Sequence, residues 1–349
     1  MDPKVTFVVP CYNLANLLPE CINSILAQTF EDYEVLIMDD CSPDATPEVA
    51  QSFRDPRVKH VRNESNLKHL ANYNKGIGMA KGKYVWLISA DDCLSKPNVL
   101  ERYVAMMDDH PDVGYIFCPA KALQDGVETE VVPWSFHGEG DRIFKGHEFF
   151  VRLLSSNCIA SPCAMVRSDC YKIAQFPLDL PYAGDWYLWC FFALRNDVAY
   201  LAEPMVNYRL HEKSCTNHYL SEDKDVISID EINVRWKVMK NAEEAGCKLM
   251  ADKCLDYIIN DYVTRIHMKD SQNHRQGITF EGFEQSLSRQ IDNPKKEKYI
   301  RAKVLYGMAN NYYLDQNFSK ANMYYLKTIR ERPVMLKAYM KYALTAVSR

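Results

Sequence analysis

Gly82-Lys-Tyr-Val-Trp-Leu-Ile-Ser-Ala-Asp-Asp-Cys93 is the stretch that decides how this chain folds. An apolar run from Val85 to Ile88, of buried-strand length, ends in two adjacent carboxylates, Asp91 and Asp92. Buried carboxylates are costly unless they are paired or bind a metal. At the carboxyl end of a strand in an open α/β sheet they stand where such folds bind ligands. Hard oxygen donors there suit Mg²⁺ or Mn²⁺ carrying a phosphate. A strand followed by an acidic turn would look the same in isolation, so the neighbouring segments carry the decision.

Upstream, Val5-Thr-Phe-Val-Val9 is a buried strand broken by Pro10. Asn13 or Asn16 is placed to cap a helix through Leu17, Ile22, Ile25 and Leu26, apolar at helical spacing. Residues 34–38 form a second strand ending in Asp39 and Asp40, 46–53 a helix, 58–61 a short strand and 69–80 a helix. Downstream of the Val85 strand, 98–107 is helical, and 113–118 and 164–166 continue the sheet. This alternation predicts an α/β fold with a doubly wound, mostly parallel sheet. Asp185 opens an aromatic-rich helix to Arg195, an acid at the end the macrodipole prefers. After about Leu220 the pattern is helical throughout, which predicts domains 1–219 and 220–349, the second smaller and all-helical. Within it, 302–314 and 318–329 form an amphipathic hairpin, followed by Pro333 and a third helix. A single such unit reads as an ordinary helical domain, because a repeat array needs about three copies.

The chain has 42 basic and 46 acidic residues, a net charge of −4, which excludes nucleic-acid binding by the chain as a whole. The charge is uneven: residues 294–349 hold 12 Lys and Arg against 3 Asp and Glu, a net of +9. None of the twelve cysteines forms a C-x-x-C pair or stands at zinc-site spacing with His, which suits a reducing cytoplasm. Met1-Asp-Pro-Lys4 runs straight into a strand, so no secretory signal is expected. The longest apolar stretch, near 188–194, is too short to span a bilayer.

Polar clusters fall at strand ends or helix starts: Pro10-Cys-Tyr-Asn13, Asp39-Asp-Cys-Ser-Pro-Asp-Ala-Thr46, Asp91-Asp92, and Asp185 with Tyr208-Arg-Leu-His211. The first three follow strands of one parallel sheet and converge on one edge, making a nucleotide-sized polar site. No Walker A loop or G-x-G-x-x-G follows a strand, and Gly76, Gly78 and Gly82 have the wrong spacing. Without a glycine-rich cradle, a diphosphate must be neutralised by a metal and cationic side chains. Asp92 with Arg209 or His211 could supply that.

With these motifs in order, the chain resembles the family 2 glycosyltransferases of the GT-A fold. The likeness rests on Val8-Val-Pro-Cys-Tyr-Asn13, Ser24-Ile-Leu-Ala-Gln-Thr-Phe30, the Asp39–Thr46 cluster, Asn74-Lys-Gly-Ile77, Ser89-Ala-Asp-Asp92, Gly184-Asp185-Trp-Tyr-Leu188 and Tyr208-Arg-Leu-His-Glu-Lys-Ser214. The resemblance implies an inverting, metal-assisted transfer of a sugar from a nucleotide diphosphate sugar, UDP preferred, to a hydroxyl of a glycan or lipid-linked glycan. It implies nucleotide contacts from Pro10, Tyr12, Asp39, Asp40, Asn74 and Asp91. Asp91, Asp92 and His211 would hold Mn²⁺ or Mg²⁺, Asp92 as the direct ligand, with Arg209 and His211 neutralising the diphosphate. Asp185 would be the catalytic base. One departure stands out: many members have Asp where this chain has Ser89.

Two alternatives compete, a sugar nucleotidyltransferase and a non-catalytic scaffold of the same fold in a glycan assembly complex. The nucleotidyltransferase would want a basic, glycine-rich loop after the first strand, where this chain has Pro10-Cys-Tyr-Asn13. The tail adds a partner. Its charge and the eight tyrosines from Tyr299 to Tyr342 suit peripheral contact with an anionic inner membrane face, unless those tyrosines pack the tail's own core.

Overall fold

The computed structural model describes residues 2–212, 214–221, 224–272 and 277–347. They divide into two compact units, Met1–Asp230 and Glu231–Arg349.

In the first unit, β1 (Val5–Cys11) and β2 (Tyr33–Asp39) are buried along their whole length. Their continuous apolar sequences match interior strands of a sheet with both faces covered. β1 pairs in parallel with β2 and with β4 (Tyr84–Leu87), and β2 pairs in parallel with β3 (Val58–Arg62). The remaining strands are β5 (Cys93–Leu94), β6 (Val113–Phe117), β7 (Ala120–Gln124), β8 (Val127–Val131), β9 (Arg142–Phe144), β10 (Ala164–Arg167), β11 (Asp197–Tyr200) and β12 (Val206–Arg209). The large sheet has the order β3-β2-β1-β4-β10-β6-β11-β9, and a small one the order β5-β12-β7-β8. β10 runs antiparallel to β4 and β6, and β9 antiparallel to β11. The α/β fold is thus the expected one, parallel from β3 to β4 and mixed beyond. Trp86 pins the centre. Its indole stacks between Phe7 and Tyr103, with ring centroids 5.5 and 4.3 Å away, and donates to the Pro162 carbonyl at 2.8 Å.

Register aligns the loops that matter. Cys11 is level with Asp39. The Asp40 N–H donates to the Cys11 carbonyl at 2.9 Å, and the Ala90 N–H to the Pro10 carbonyl at 3.1 Å. The ends of β1, β2 and β4 are therefore laced together. β12 lies antiparallel to β5, which starts directly after Asp92, so its last residue, Arg209, meets the carboxylate pair. The first helix, Leu18–Leu26, is not capped by Asn13 or Asn16. Leu17 holds the cap position without a side-chain bond, and Pro19 stands in the first turn, where a missing N–H costs little.

The second unit is helical. Trp236, Tyr262 and Phe283 are buried together, the indole donating to the Tyr262 hydroxyl at 3.0 Å. Tyr312 and Tyr324 stack at 5.6 Å, and both hydroxyls donate to Asp270 Oδ2, at 3.0 and 3.1 Å. Tyr325 is buried as well. Tyr312, Tyr324 and Tyr325 thus serve as core, Tyr299, Tyr306, Tyr313 and Tyr342 are half-buried, and Tyr339 is 43% exposed. No described helix is long and apolar enough to cross a membrane.

Candidate active site

A cavity of about 880 Å³ opens over the carboxyl ends of β1, β2 and β4, with Pro10, Tyr12, Asp40, Lys68, Asn72 and Asp91 among its lining. Its loops are held in conformations that L-residues adopt at a cost. Asn13, Cys41 and Lys68 have φ of 58°, 60° and 66°, and none is glycine. Buried acids hold these turns. Asp39 Oδ1 accepts the Ser42 N–H at 2.8 Å, and Ser42 Oγ accepts the Asn13 N–H at 3.0 Å. Asp40 Oδ1 accepts the Leu67 N–H at 2.8 Å and the Asn63 amide at 2.7 Å. Asn63 in turn donates to Asn72 Oδ1, whose own amide reaches the Met38 carbonyl. A rigid polar floor results.

The two carboxylates after β4 differ sharply. Asp92 is buried, and its Oδ1 accepts the Arg209 N–H at 2.9 Å. Burial, then the charge of Asp91, pushes its carboxyl well above the usual range. Asp91 lines the cavity: its Oδ2 is 2.8 Å from His211 Nε2, and its buried Oδ1 has no hydrogen-bond partner among the described residues. Native proteins seldom leave such an atom without a purpose. Arg209 is committed elsewhere. Its Nε donates to the Asp91 carbonyl at 2.8 Å and Nη2 pairs with Glu20, and the side chain is only 9% exposed.

Asp185 sits in the first turn of the Gly184–Ala193 helix. Its Oδ1 accepts the Trp186 N–H at 2.6 Å and its Oδ2 the Asn157 amide at 3.2 Å. Burial raises its carboxyl to about 6, against those two hydrogen bonds. Cys215, on the cavity wall, is pushed to about 11 by burial and then by the charges of Asp91 and Asp185. Asp91 and Cys215 line the cavity, whereas Asp185 is not among its lining residues.

Four of the expected nucleotide contacts, Pro10, Tyr12, Asp40 and Asp91, do line the cavity. Asp39 does not: it is wholly buried, with Oδ2 on Arg62 at 2.9 Å and His60 at 3.2 Å, and acts as an anchor. Asn74 does not either, since its amide both donates to and accepts from the Phe176 backbone, at 2.8 and 2.9 Å. Arg209 does not line the cavity and is held by the Asp91 carbonyl and Glu20. Of the pair, Asp91 rather than Asp92 faces the cavity. Lys213, within the 208–214 motif, lies outside the described residues. Sequence reading missed Lys68, Asn72, Cys215 and Asn157. The asparagine-rich run from Asn63 to Asn74 was the available signal for the first two.

Among the described residues no group of three or more His, Cys, Asp and Glu could hold a metal ion. The unpartnered Asp91 Oδ1 beside His211 offers one hard oxygen and one imidazole nitrogen. That set fits Mg²⁺ or Mn²⁺, which commonly use one or two protein ligands and take the rest from substrate phosphates and water.

Residues 6–173 match the model of glycosyl transferase family 2. An uncharacterized glycosyltransferase of Haemophilus influenzae is 29% identical over 232 residues, 64% of this chain and 70% of that protein. The succinoglycan biosynthesis protein ExoO of Rhizobium meliloti is 39% identical over 106 residues, 30% of each chain. The solved structure of S. aureus TarS in complex with UDP-GlcNAc aligns over 98% of this chain and 89% of that one, at a TM-score of 0.60 and 19% identity, a likeness of fold. Residues 6–173, within the N-terminal unit, are thus similar to glycosyl transferase family 2, and the fold around them is the one that family's likeness implied.

Proposed function

We propose that this protein transfers a sugar, with inversion, from a UDP-sugar to a hydroxyl of a glycan or lipid-linked glycan. The observation that carries the reading is Asp91: a carboxylate on the cavity wall with one oxygen on His211 and the other buried and unpartnered. Mn²⁺ or Mg²⁺ bound by Asp91 and His211 would supply positive charge where the diphosphate leaves. Asp92 supports Asp91 from behind through the Arg209 backbone.

Asp185 is the base in this reading. Its raised carboxyl lies near the working pH, where a general base is most effective. It takes the proton from the acceptor hydroxyl while Asn157 and the Trp186 N–H orient its two oxygens. The charges of Asp91 and Asp185 both raise the Cys215 thiol on the cavity wall, which supports a single displacement with leaving group and acceptor near that wall. The preference for UDP rests on Asp40, both of whose hydrogen bonds fall on Oδ1. One remaining carboxylate oxygen suits uracil, with its single ring N–H, better than guanine, with two adjacent donors. ExoO carries the name of a succinoglycan biosynthesis protein, and the TarS structure holds UDP-GlcNAc, which favours a polysaccharide product and a UDP-hexose donor here. The nucleotidyltransferase alternative has no such support.

Calorimetry with UDP, GDP and dTDP, with and without Mn²⁺, tests this proposal together with a transfer assay over UDP-sugars. UDP should bind tightest, and only with the metal. Equal affinity in a chelator would remove the metal from the reading, and a preference for GDP would overturn the role of Asp40.

A further inference from the structure

We infer that the outward face of the Leu336–Val347 helix docks on an anionic lipid surface. This face belongs to the second unit and needs none of the chemistry of the transfer site. The helix packs by Ala338 and Thr345, both fully buried. About half a turn away, on the side that would ordinarily be polar, Leu336, Met340 and Leu344 form an i, i+4, i+8 stripe exposed at 74%, 68% and 57%. Tyr339, 43% exposed, and Val334, 73% exposed just before the helix, widen it. An apolar stripe on the solvent side of a helix marks an interaction surface.

Charge chooses the occupant. From 332 to 347 the sequence has Arg332, Lys337 and Lys341 and no acidic residue. On the helix, Lys337 and Lys341 each follow a stripe residue, Leu336 and Met340, and so run along one side of it, while Arg332 and Lys341 lie over the Tyr299 and Tyr313 rings at 4.7 and 4.8 Å. Glu331, the acid just before this stretch, is drawn to Arg301 at 3.6 Å. A second copy of this face would bring like charges together, which disfavours self-association. Anionic headgroups instead meet the lysines while the leucines and methionine enter the boundary between headgroups and chains. Twelve residues make a helix of about 18 Å, too short to span a bilayer and suited to lie in its plane.

The test is flotation of the full chain with phosphatidylcholine vesicles, with and without phosphatidylglycerol. The protein should bind the anionic vesicles at low salt and be released as salt rises. Replacing Leu336, Met340 and Leu344 together by Glu should lower binding by about tenfold or more. Lys337→Gln with Lys341→Gln should abolish the preference for anionic lipid while leaving the fold intact. Unchanged melting and UDP binding confirm that each variant folds, and Met340→Gln alone serves if the triple variant does not. Failure of the full chain to bind anionic vesicles at low salt would overturn the inference. So would binding untouched by the triple variant, or a dimer in solution that the triple variant converts to monomer.

Discussion

Asp185→Asn should cost activity and gain stability, and the gain should depend on pH. In the folded protein the Asp185 carboxyl is raised from 3.8 to about 6 because burial disfavours its charged form. A shift of two units is about 3 kcal/mol between protonation states, an upper figure for a partly buried group. The sign follows from linkage. Protonated Asp185 favours the folded state fully below the unfolded value near 4, and that contribution is lost as pH rises through about 6. At pH 8 wild-type protein therefore bears the full cost of an ionised, desolvated carboxylate. Asparagine keeps an oxygen to accept the Trp186 N–H and carries no charge. The variant should be more stable than wild type by up to about 3 kcal/mol at pH 8 and equal to it below pH 4. Transfer should fall by about a hundredfold or more, with UDP binding unchanged, as expected for loss of a general base. In wild type, kcat/KM should drop as pH falls through about 6. Scanning calorimetry at pH 8 and pH 4, beside initial rates, reads both effects. Turnover near the wild-type rate would show that the base lies elsewhere, and a variant less stable than wild type at pH 8 would refute the burial argument.

Asp91→Asn should abolish the Mn²⁺ dependence of UDP binding, whereas Asp92→Asn, which keeps an acceptor for the Arg209 N–H, should change it only a few-fold; calorimetry giving the reverse order would restore Asp92 as the ligand. Gly76→Ala should destabilise by about 1–3 kcal/mol, because a Cβ there would stand 2.5 Å from Val8 Cγ1 and 2.9 Å from Met38 Cγ. A denaturation midpoint equal to wild type would mean that β1 and β2 yield readily to this helix.

The parallel half of the sheet was legible because β1, β2 and β4 are short apolar runs buried on both faces, each ending in a polar cluster. Period and punctuation sufficed there. β8 reads Val127-Glu-Thr-Glu-Val131 and is largely exposed, and β5 is two residues long, so neither leaves a pattern. The small sheet is specified instead by what β12 meets, and that is a tertiary fact. The site divides along the same line. Which strand ends converge follows from the order of motifs, so the sequence pointed to Pro10, Tyr12, Asp40 and Asp91, which line the cavity. Which of two adjacent residues faces the ligand depends on the backbone turn between them. Asp39 and Asp40 straddle the end of β2, where one turns inward to Arg62 and the other lines the cavity. Asp91 and Asp92 repeat the division after β4: one meets His211 at the cavity, the other is sealed behind it by Arg209.

This doubling has a physical use. A ligand-facing carboxylate needs a fixed backbone, and the turns here run through Asn13, Cys41 and Lys68 at positive φ. Such conformations persist only where the surroundings over-determine them. Asp39 helps supply that constraint through Ser42 to Asn13, Asp40 through the Leu67 N–H, and Asp92 fixes the end of β12 through the Arg209 N–H. The member at the cavity is thereby held at a set position, which in the proposed reading leaves little ordering cost for nucleotide binding to meet. Each Asp-Asp pair therefore sets one carboxylate at the cavity and one behind it, a distinction that charge and spacing cannot draw but the hydrogen bonds can.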